Sequence, residues 1–133
     1  MNRVTVYVAG PYTKPDPVSN TATATAVADR LFRAGYLPFL PHAMTMLWHF
    51  AHHHAYDEWL GYTMAWCERC DCLLRLHGES NGSDREVERM LELGRPVFHT
   101  FDDLLAGLPP TGIANGVPIE ADLQAVAERT SDD

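Results

Sequence analysis

A polar, glycine-containing loop that runs directly into a charged helix pattern is the part of the sequence best suited to chemistry. The stretch SNGSDREVERMLEL, residues 80 to 93, places Ser80, Gly82 and Ser83 around the helix start and Glu86 one turn into the helix. Backbone amides at a helix start can hold a small anion such as phosphate. A carboxylate one turn further on is either a solvated surface charge or a catalytic group. Ser80 is either a turn or capping residue or a ligand-binding one.

Histidines and cysteines offer two further clusters. His49, His53 and Asp57 are spaced four residues apart, so that on a continuous helix they would share one face, as paired zinc ligands do. The segment is irregular and nothing completes the ligand set, so we expect no metal site. The three cysteines are Cys67, Cys70 and Cys72. They do not form a secreted disulfide framework, and we expect them to fill core volume.

Composition limits the classes of function. The chain has 133 residues, of which 46% are hydrophobic and 21% charged, which fits one globular domain with its own core. A net charge of −8 with only 10 Lys and Arg residues argues against binding a nucleic-acid polymer, but leaves a small anion at one helix start as a candidate ligand. No apolar run approaches the roughly 20 residues of a membrane span, and the N-terminus lacks a signal-peptide cleavage pattern. These features predict a cytoplasmic protein without membrane contact.

Strand and helix patterns alternate along the chain. Strands are predicted at residues 3 to 10 (RVTVYVAG), 36 to 41 (YLPFLP), 72 to 76 (CLLRL) and 96 to 99 (PVFH). Helices are predicted at residues 21 to 34, 56 to 69, 83 to 93 and 101 to 106. Residues 42 to 54, rich in aromatics and histidines without a clean period, are predicted to be a loop with helical turns.

This order predicts a small doubly wound α/β domain, Rossmann-like or flavodoxin-like, with a parallel sheet of four to five strands flanked by helices. In such sheets ligands bind beyond the carboxyl ends of the strands, so the loops after Ala9, Leu40 and Leu76 should share a site. We expect the domain to span residues 1 to 110. Residues 111 to 133 should form a tail that is partly ordered at best or docks on a neighbouring subunit.

Three segments together carry a resemblance to a known family. VYVAGPYT, CDCLLRLHG and SNGSDREVERMLELGRPVF resemble, in that order, segments of the nucleoside 2-deoxyribosyltransferase superfamily, which includes 2′-deoxynucleoside 5′-monophosphate N-glycosidases and small bacterial and phage relatives. The similarity covers roughly residues 3 to 105. In that superfamily a Ser-x-Gly-x-x-x-Glu pattern presents the nucleophile, and Ser80, Gly82 and Glu86 occupy those positions.

The resemblance implies an enzyme that cleaves the N-glycosidic bond of a nucleoside or nucleoside 5′-monophosphate, by hydrolysis in the first place and by transfer to another base as the alternative. Glu86 would attack the anomeric carbon with net retention, and Tyr7 on the first strand would orient it. No cofactor is needed for this chemistry. The residues expected to bind substrate are Gly10, Tyr12, Thr13, His42, Asp57, Ser80, Gly82 and Ser83.

The sequence departs from the family pattern in two places. Pro11, Tyr12 and Thr13 occupy the loop where the monophosphate hydrolases carry a serine and an arginine, so that Lys14 or Arg85 would have to bind a phosphate. Thr63 stands where many relatives carry an aspartate. Asp57 or one of the histidines, of which His42 after a strand end is best placed for substrate contact, would then supply the acid for the departing base. Trp48 or Tyr12 would stack on the base.

Two other classes of protein remain open at this stage. One is a non-catalytic nucleotide-binding sensor or regulatory module, which Thr63 favours, and the other is a pure interaction protein. The resemblance also implies a homodimer or larger homo-oligomer, with aromatic residues between 42 and 62 as contact residues.

Overall fold

The structure is a computed structural model that describes residues 3 to 110 and the backbone of residues 113 to 114 and 117 to 118. The elements are β1 (Thr5–Ala9), α1 (Pro17–Arg33), β2 (Leu37–Phe39), α2 (Pro41–Ala51), α3 (Tyr56–Cys67), β3 (Cys72–Arg75), α4 (Asn81–Glu92), β4 (Val97–Phe98), α5 (Phe101–Gly107), β5 (Ile113–Ala114) and β6 (Val117–Pro118). The last two strands pair with each other in antiparallel fashion. The remainder of the tail predicted at 111 to 133, with its expected docking on a subunit, lies outside the described residues.

The first four strands form one parallel sheet in the order β2-β1-β3-β4. Tyr7 in the middle of β1 pairs with Phe39 on one side and with Leu73 on the other. The chain leaves β1 toward β2 and later crosses to β3, so the direction of winding reverses beside β1. This confirms the predicted doubly wound α/β fold, and it places the expected ligand site beyond the carboxyl ends of β1 and β3.

Side chains of β1 alternate between two cores, one on each face of the sheet. One core contains Val6, Val8, Ala24, Leu31, Cys72, Leu74 and Leu104, and is covered by α1 and α5. The other contains Tyr7, Ala9, Cys67, Cys70, Leu73 and Met90, and is covered by α3 and α4. Tyr7 is therefore fully buried on the face of the sheet that α4, which carries Glu86, also covers.

The three cysteines are free thiols buried in these cores, in agreement with the prediction that they fill core volume. Burial raises the pKa of Cys70 to about 11 and that of Cys72 to about 12, and it also raises the pKa of Cys67. All three thiols therefore stay protonated at neutral pH, which suits packing rather than chemistry.

One predicted helix boundary and one predicted loop are wrong for local reasons. Helix α1 begins at Pro17 rather than at residue 21, because Asp16 acts as its N-cap and accepts a hydrogen bond from the Ser19 amide at 2.8 Å. The segment predicted as an irregular loop is α2, which has Pro41 at its first position and residues of high helix propensity such as Met44 and Leu47 behind it.

Helix α2 is held by aromatic packing that its sequence period does not reveal. The Trp48 ring lies edge-on to Trp59 and Tyr62 of α3, with centroids 5.1 Å and 5.3 Å away. This packing stabilises a helix whose sequence, interrupted by histidines, has no clean hydrophobic period. No helix among the described residues is long and apolar enough to cross a bilayer.

Candidate active site

An open cavity of about 830 Å³ lies beyond the carboxyl ends of β1 and β3. The predicted site residues that line it are Tyr7, Gly10, Tyr12, Thr13, His42, Ser80, Gly82, Ser83 and Glu86. Asp57 lies elsewhere, exposed in the first turn of α3. The structure thus brings together the two strand ends, the loop after β1 and the start of α4, but it leaves Asp57 out.

The start of α4 is tied to the end of β1 by a chain of serine hydroxyls. Ser80 is the N-cap, and its Oγ accepts from the Ser83 amide at 3.1 Å, so the helix begins at Asn81, two residues earlier than predicted. Ser80 Oγ also donates to Ser83 Oγ at 3.0 Å, and Ser83 Oγ donates to the Gly10 carbonyl at 3.1 Å. Ser80 therefore acts as a cap, while the amides of Asn81 and Gly82, which have no acceptor within the helix, belong to residues that line the cavity.

The loops that follow β1 and β3 approach so closely that glycine is required in both. A Cβ on Gly10 would lie 2.9 Å from Cβ of Leu76. Gly78 has a φ of +119°, and a Cβ there would lie 2.5 Å from Cγ of Pro11. Both glycines thus allow the loops after β1 and β3 to pack directly against each other.

Arg75, at the end of β3, organises the loop that leads to α4. Its side chain is 10% exposed and binds the Leu76 carbonyl, the Gly78 carbonyl at 2.7 Å and Oδ1 of Asp84 at 3.2 Å. Sequence reasoning did not single it out, because an arginine at a strand end carries no motif. Its charge also lowers the pKa of Glu86.

The carboxyl group of Glu86 is buried, with 5% of the residue exposed, so the interpretation of Glu86 as a solvated surface charge is wrong. The Tyr7 hydroxyl donates a hydrogen bond to Glu86 Oε2. Burial raises the pKa of Glu86 to about 7, against the lowering effect of hydrogen bonds from Tyr7 and Thr63. The pKa of Tyr7 is raised well above its usual value, by burial first and then by the Glu86 charge. Near neutral pH the phenol therefore stays a donor while Glu86 is partly ionised.

Tyr7 is fixed in place by a row of stacked aromatic rings. Its ring stacks on Phe39 of β2 with centroids 5.8 Å apart, and Phe39 stacks on Trp66 of α3 at 5.2 Å. Stacking on Phe39 restricts the movement of the phenol ring, so the hydroxyl of Tyr7 helps to determine where Glu86 Oε2 lies.

His42 anchors the loop after β1. It is 4% exposed, and its Nε2 lies 2.9 Å from the Pro11 carbonyl, which can only accept, so Nε2 carries the hydrogen. Burial lowers its pKa, which favours the neutral ring. The Tyr12 ring packs edge-on at 6.0 Å.

The cavity wall formed by α2 and α3 contains Trp59, which the sequence did not identify as a site residue, next to His49 and Thr63. Trp59 Nε1 donates to His49 Nδ1 at 2.6 Å, and Trp59, His49 and Thr63 all line the cavity. Trp59 and Thr63 are one turn apart, a spacing that was visible in the sequence. Trp48, by contrast, is not a lining residue.

The three residues that were considered as zinc ligands, His49, His53 and Asp57, do not lie on one helix. His49 belongs to α2 and Asp57 to α3, and His53 lies between the two helices. Within the part of the chain that the structure describes, no group of three or more His, Cys, Asp or Glu side chains is placed to hold a metal ion.

Charges around the cavity are mainly negative. Glu79, Asp84 and Glu86 line it, whereas Lys14 is the one Lys or Arg side chain to do so among residues 3 to 110. Arg85, considered above as a phosphate ligand, is exposed and is not a lining residue.

Comparison with solved structures shows that the fold is shared with an enzyme. A 2-desoxiribosyltransferase from Leishmania mexicana is similar over 86% of this chain and 77% of its own, with a TM-score of 0.54 and 16% sequence identity. No protein-family model and no curated protein matches the sequence. The likeness therefore concerns the α/β fold.

Proposed function

We propose that the chain cleaves the N-glycosidic bond of a nucleoside or nucleoside 5′-monophosphate, with Glu86 as the nucleophile. The observation that carries this proposal is the buried Glu86 carboxyl on the cavity wall, bonded to Tyr7 and with its pKa raised to about 7. A group titrating near neutral pH in a cleft is a common mark of a catalytic carboxyl. The fold shared with a 2-desoxiribosyltransferase and the Ser-x-Gly-x-x-x-Glu pattern support the same reaction class.

In the proposed reaction ionised Glu86 attacks the anomeric carbon as the base departs. The transition state is oxocarbenium-like, and a covalent glycosyl–enzyme intermediate follows. Tyr7 holds Oε2 and leaves Oε1 for the sugar. Water or an acceptor base then attacks the intermediate, so that two inversions give net retention. The open cavity supports water as the acceptor.

The start of α4 is suited to the 5′ end of the sugar. Asn81 and Gly82 contribute backbone amides, and the positive end of the helix dipole attracts electron-rich oxygen. Tyr12 at the cavity wall provides a ring on which a base would stack. Glu86, one and a half turns along α4, then faces the anomeric carbon.

The experiment is a screen of the purified chain against nucleosides and their 5′-monophosphates, with release of free base followed by chromatography. Glu86→Ala is compared with Glu88→Ala, which removes an exposed carboxylate two residues further along the same helix. The proposal expects release that Glu86→Ala abolishes and Glu88→Ala leaves intact.

The same screen separates the alternative of a non-catalytic nucleotide-binding module, which Thr63 in place of an aspartate favours. Absence of release together with a thermal shift by one of the ligands would support that module. Absence of both release and thermal shift would remove the enzyme and the module together.

A further inference from the structure

The hydrogen bond between Trp59 and His49 fixes the tautomer of the histidine. An indole nitrogen can only donate, so His49 Nδ1, 2.6 Å from Trp59 Nε1, must be the acceptor. The His54 amide points to the same nitrogen at 3.5 Å. The neutral His49 ring therefore carries its hydrogen on Nε2.

His49 lies on the cavity wall that α2 and α3 form. A Cβ on Gly82 would lie 3.2 Å from the Tyr56 hydroxyl and 3.6 Å from Leu60, so α4 begins against the part of α3 that carries these two residues. His49 contacts α3 at Trp59, which precedes Leu60 and lies about 100° around the helix from it.

Thr63 also lines the cavity, and on the surface of α3 it lies between Trp59, one turn earlier, and Leu60, three residues earlier. In a nucleoside the 5′ end and the base extend in different directions from the sugar. With the 5′ end at α4 and the anomeric carbon at Glu86, a base that extends away from α4 would meet the wall that carries Trp59 and His49.

We propose that His49 donates its Nε2 hydrogen in a hydrogen bond to the departing base, and that Trp59 positions it as this tautomer. The proposal rests on the proposed function. It gives His49 the role that the family resemblance assigns to an aspartate at position 63, where this chain has a threonine, and Asp57 does not line the cavity.

The chemistry balances without a proton leaving His49. The Glu86 oxygen forms a bond to the anomeric carbon, the bond to the base nitrogen breaks, and its electron pair leaves with the base. The His49 N–H stabilises that charge by a hydrogen bond, as donors in oxyanion holes do. The base then takes a proton from the water that hydrolyses the intermediate.

The first test reads the tautomer and does not depend on activity. Long-range ¹H–¹⁵N NMR of the ¹⁵N-labelled protein should show His49 protonated on Nε2 and unprotonated on Nδ1, with His49→Met providing the assignment. In Trp59→Phe, which keeps an aromatic ring but loses the donor, the resonances should shift toward a mixture of tautomers. Protonation of Nδ1 in the wild type would overturn the proposal.

The second test compares variants by turnover. His49→Met should lower kcat about 100-fold, the effect typical of losing one donor to a developing charge, whereas His49→Gln, which places an N–H near the Nε2 position, should recover most of it. His53→Met is the control, because His53 packs on His49 with ring centroids 4.2 Å apart but is not a lining residue. A 4-nitrophenyl glycoside, whose leaving group needs no donor, should react equally with His49→Met and wild type.

The outcomes distinguish failure of the role of His49 from failure of the proposed function. Base release that His49→Met reduces no more than His53→Met would overturn the role of His49 and leave the proposed function standing. An equal loss on the 4-nitrophenyl glycoside would indicate that His49 only supports the fold. No release by the wild type from any substrate would remove the proposed function, and the role of His49 with it.

Discussion

The Tyr7 hydroxyl on β1 donates a hydrogen bond to Glu86 Oε2 on α4, and neither residue is more than 5% exposed. The two residues are 79 positions apart in the chain and meet where the end of the sheet opens into the cavity. A carboxyl in this setting is costly to ionise and available to substrate.

Stability should fall as pH rises because of Glu86. Its pKa is about 7 in the folded chain and near 4.5 when unfolded, so between these values the folded state binds more protons. The free energy of unfolding should therefore decrease by about 2 kcal/mol between pH 5 and pH 8 through this residue. Urea denaturation at both pH values should show a smaller decrease in Glu86→Gln than in wild type. An equal decrease in both proteins would contradict the raised pKa.

Activity should rise with pH as Glu86 ionises, with kcat/KM half-maximal on the acid side near pH 7. The hydrogen bond from Tyr7 lowers the pKa of Glu86, so in Tyr7→Phe the pH at which kcat/KM is half-maximal should be higher. The same substitution should reduce kcat. A pH profile of kcat/KM for both proteins checks this. An unchanged half-maximal pH in Tyr7→Phe would show that the phenol does not lower the pKa of Glu86.

The Ser80 cap should matter for both folding and binding. Ser80→Ala and Thr100→Ala each remove an N-cap, of α4 and α5, and each should cost about 1 kcal/mol of stability. Of the two variants, only Ser80→Ala should also raise KM, because α4 begins at the cavity and α5 does not. Chemical denaturation and steady-state kinetics measure the two effects. A similar KM in both variants would indicate that Ser80 serves the fold alone.

Negative charge around the cavity should disfavour a 5′-phosphate. Glu79 and Asp84 line the cavity, and Lys14 is the one lining Lys or Arg side chain among residues 3 to 110, so we expect a higher kcat/KM for nucleosides than for their monophosphates. Glu79→Gln should reduce the ratio of kcat/KM for nucleosides to kcat/KM for monophosphates about five-fold. This factor corresponds to about 1 kcal/mol, which is the Coulomb energy of two unit charges about 4 Å apart in water. Glu88→Gln, on the exposed side of α4, is the control. A preference for monophosphates would show that Lys14 and the helix amides outweigh the carboxylates.

The sequence predicts the sheet and most helices because strand and helix patterns alternate cleanly in them. It also places the end of β1 and the start of α4 at one site, since carboxyl ends of parallel strands share an edge. The direct contact of Tyr7 with Glu86 depends on strand register and helix rotation. The local sequence pattern determines neither the strand register nor the rotation of the helix.

The positions that sequence reasoning misplaced depend on packing between helices. Helix α2 is stabilised by contacts of Trp48 with α3, and its own period is obscured by histidines. Asp57 is turned away from the cavity because each residue rotates a helix by about 100°, so the start of α3 decides which side chains face inward. The Trp59–His49 bond joins two such helices and has no sequence motif.

The most direct test of the central claim is to trap the covalent intermediate. The chain is incubated with a 2′-fluoro analogue of its best nucleoside substrate, which slows hydrolysis of the intermediate, and is then digested with trypsin and analysed by mass spectrometry. The account predicts a glycosyl adduct on the peptide of residues 86 to 89, which contains Glu86. Base release without an adduct, or an adduct on a peptide that lacks Glu86, would contradict it.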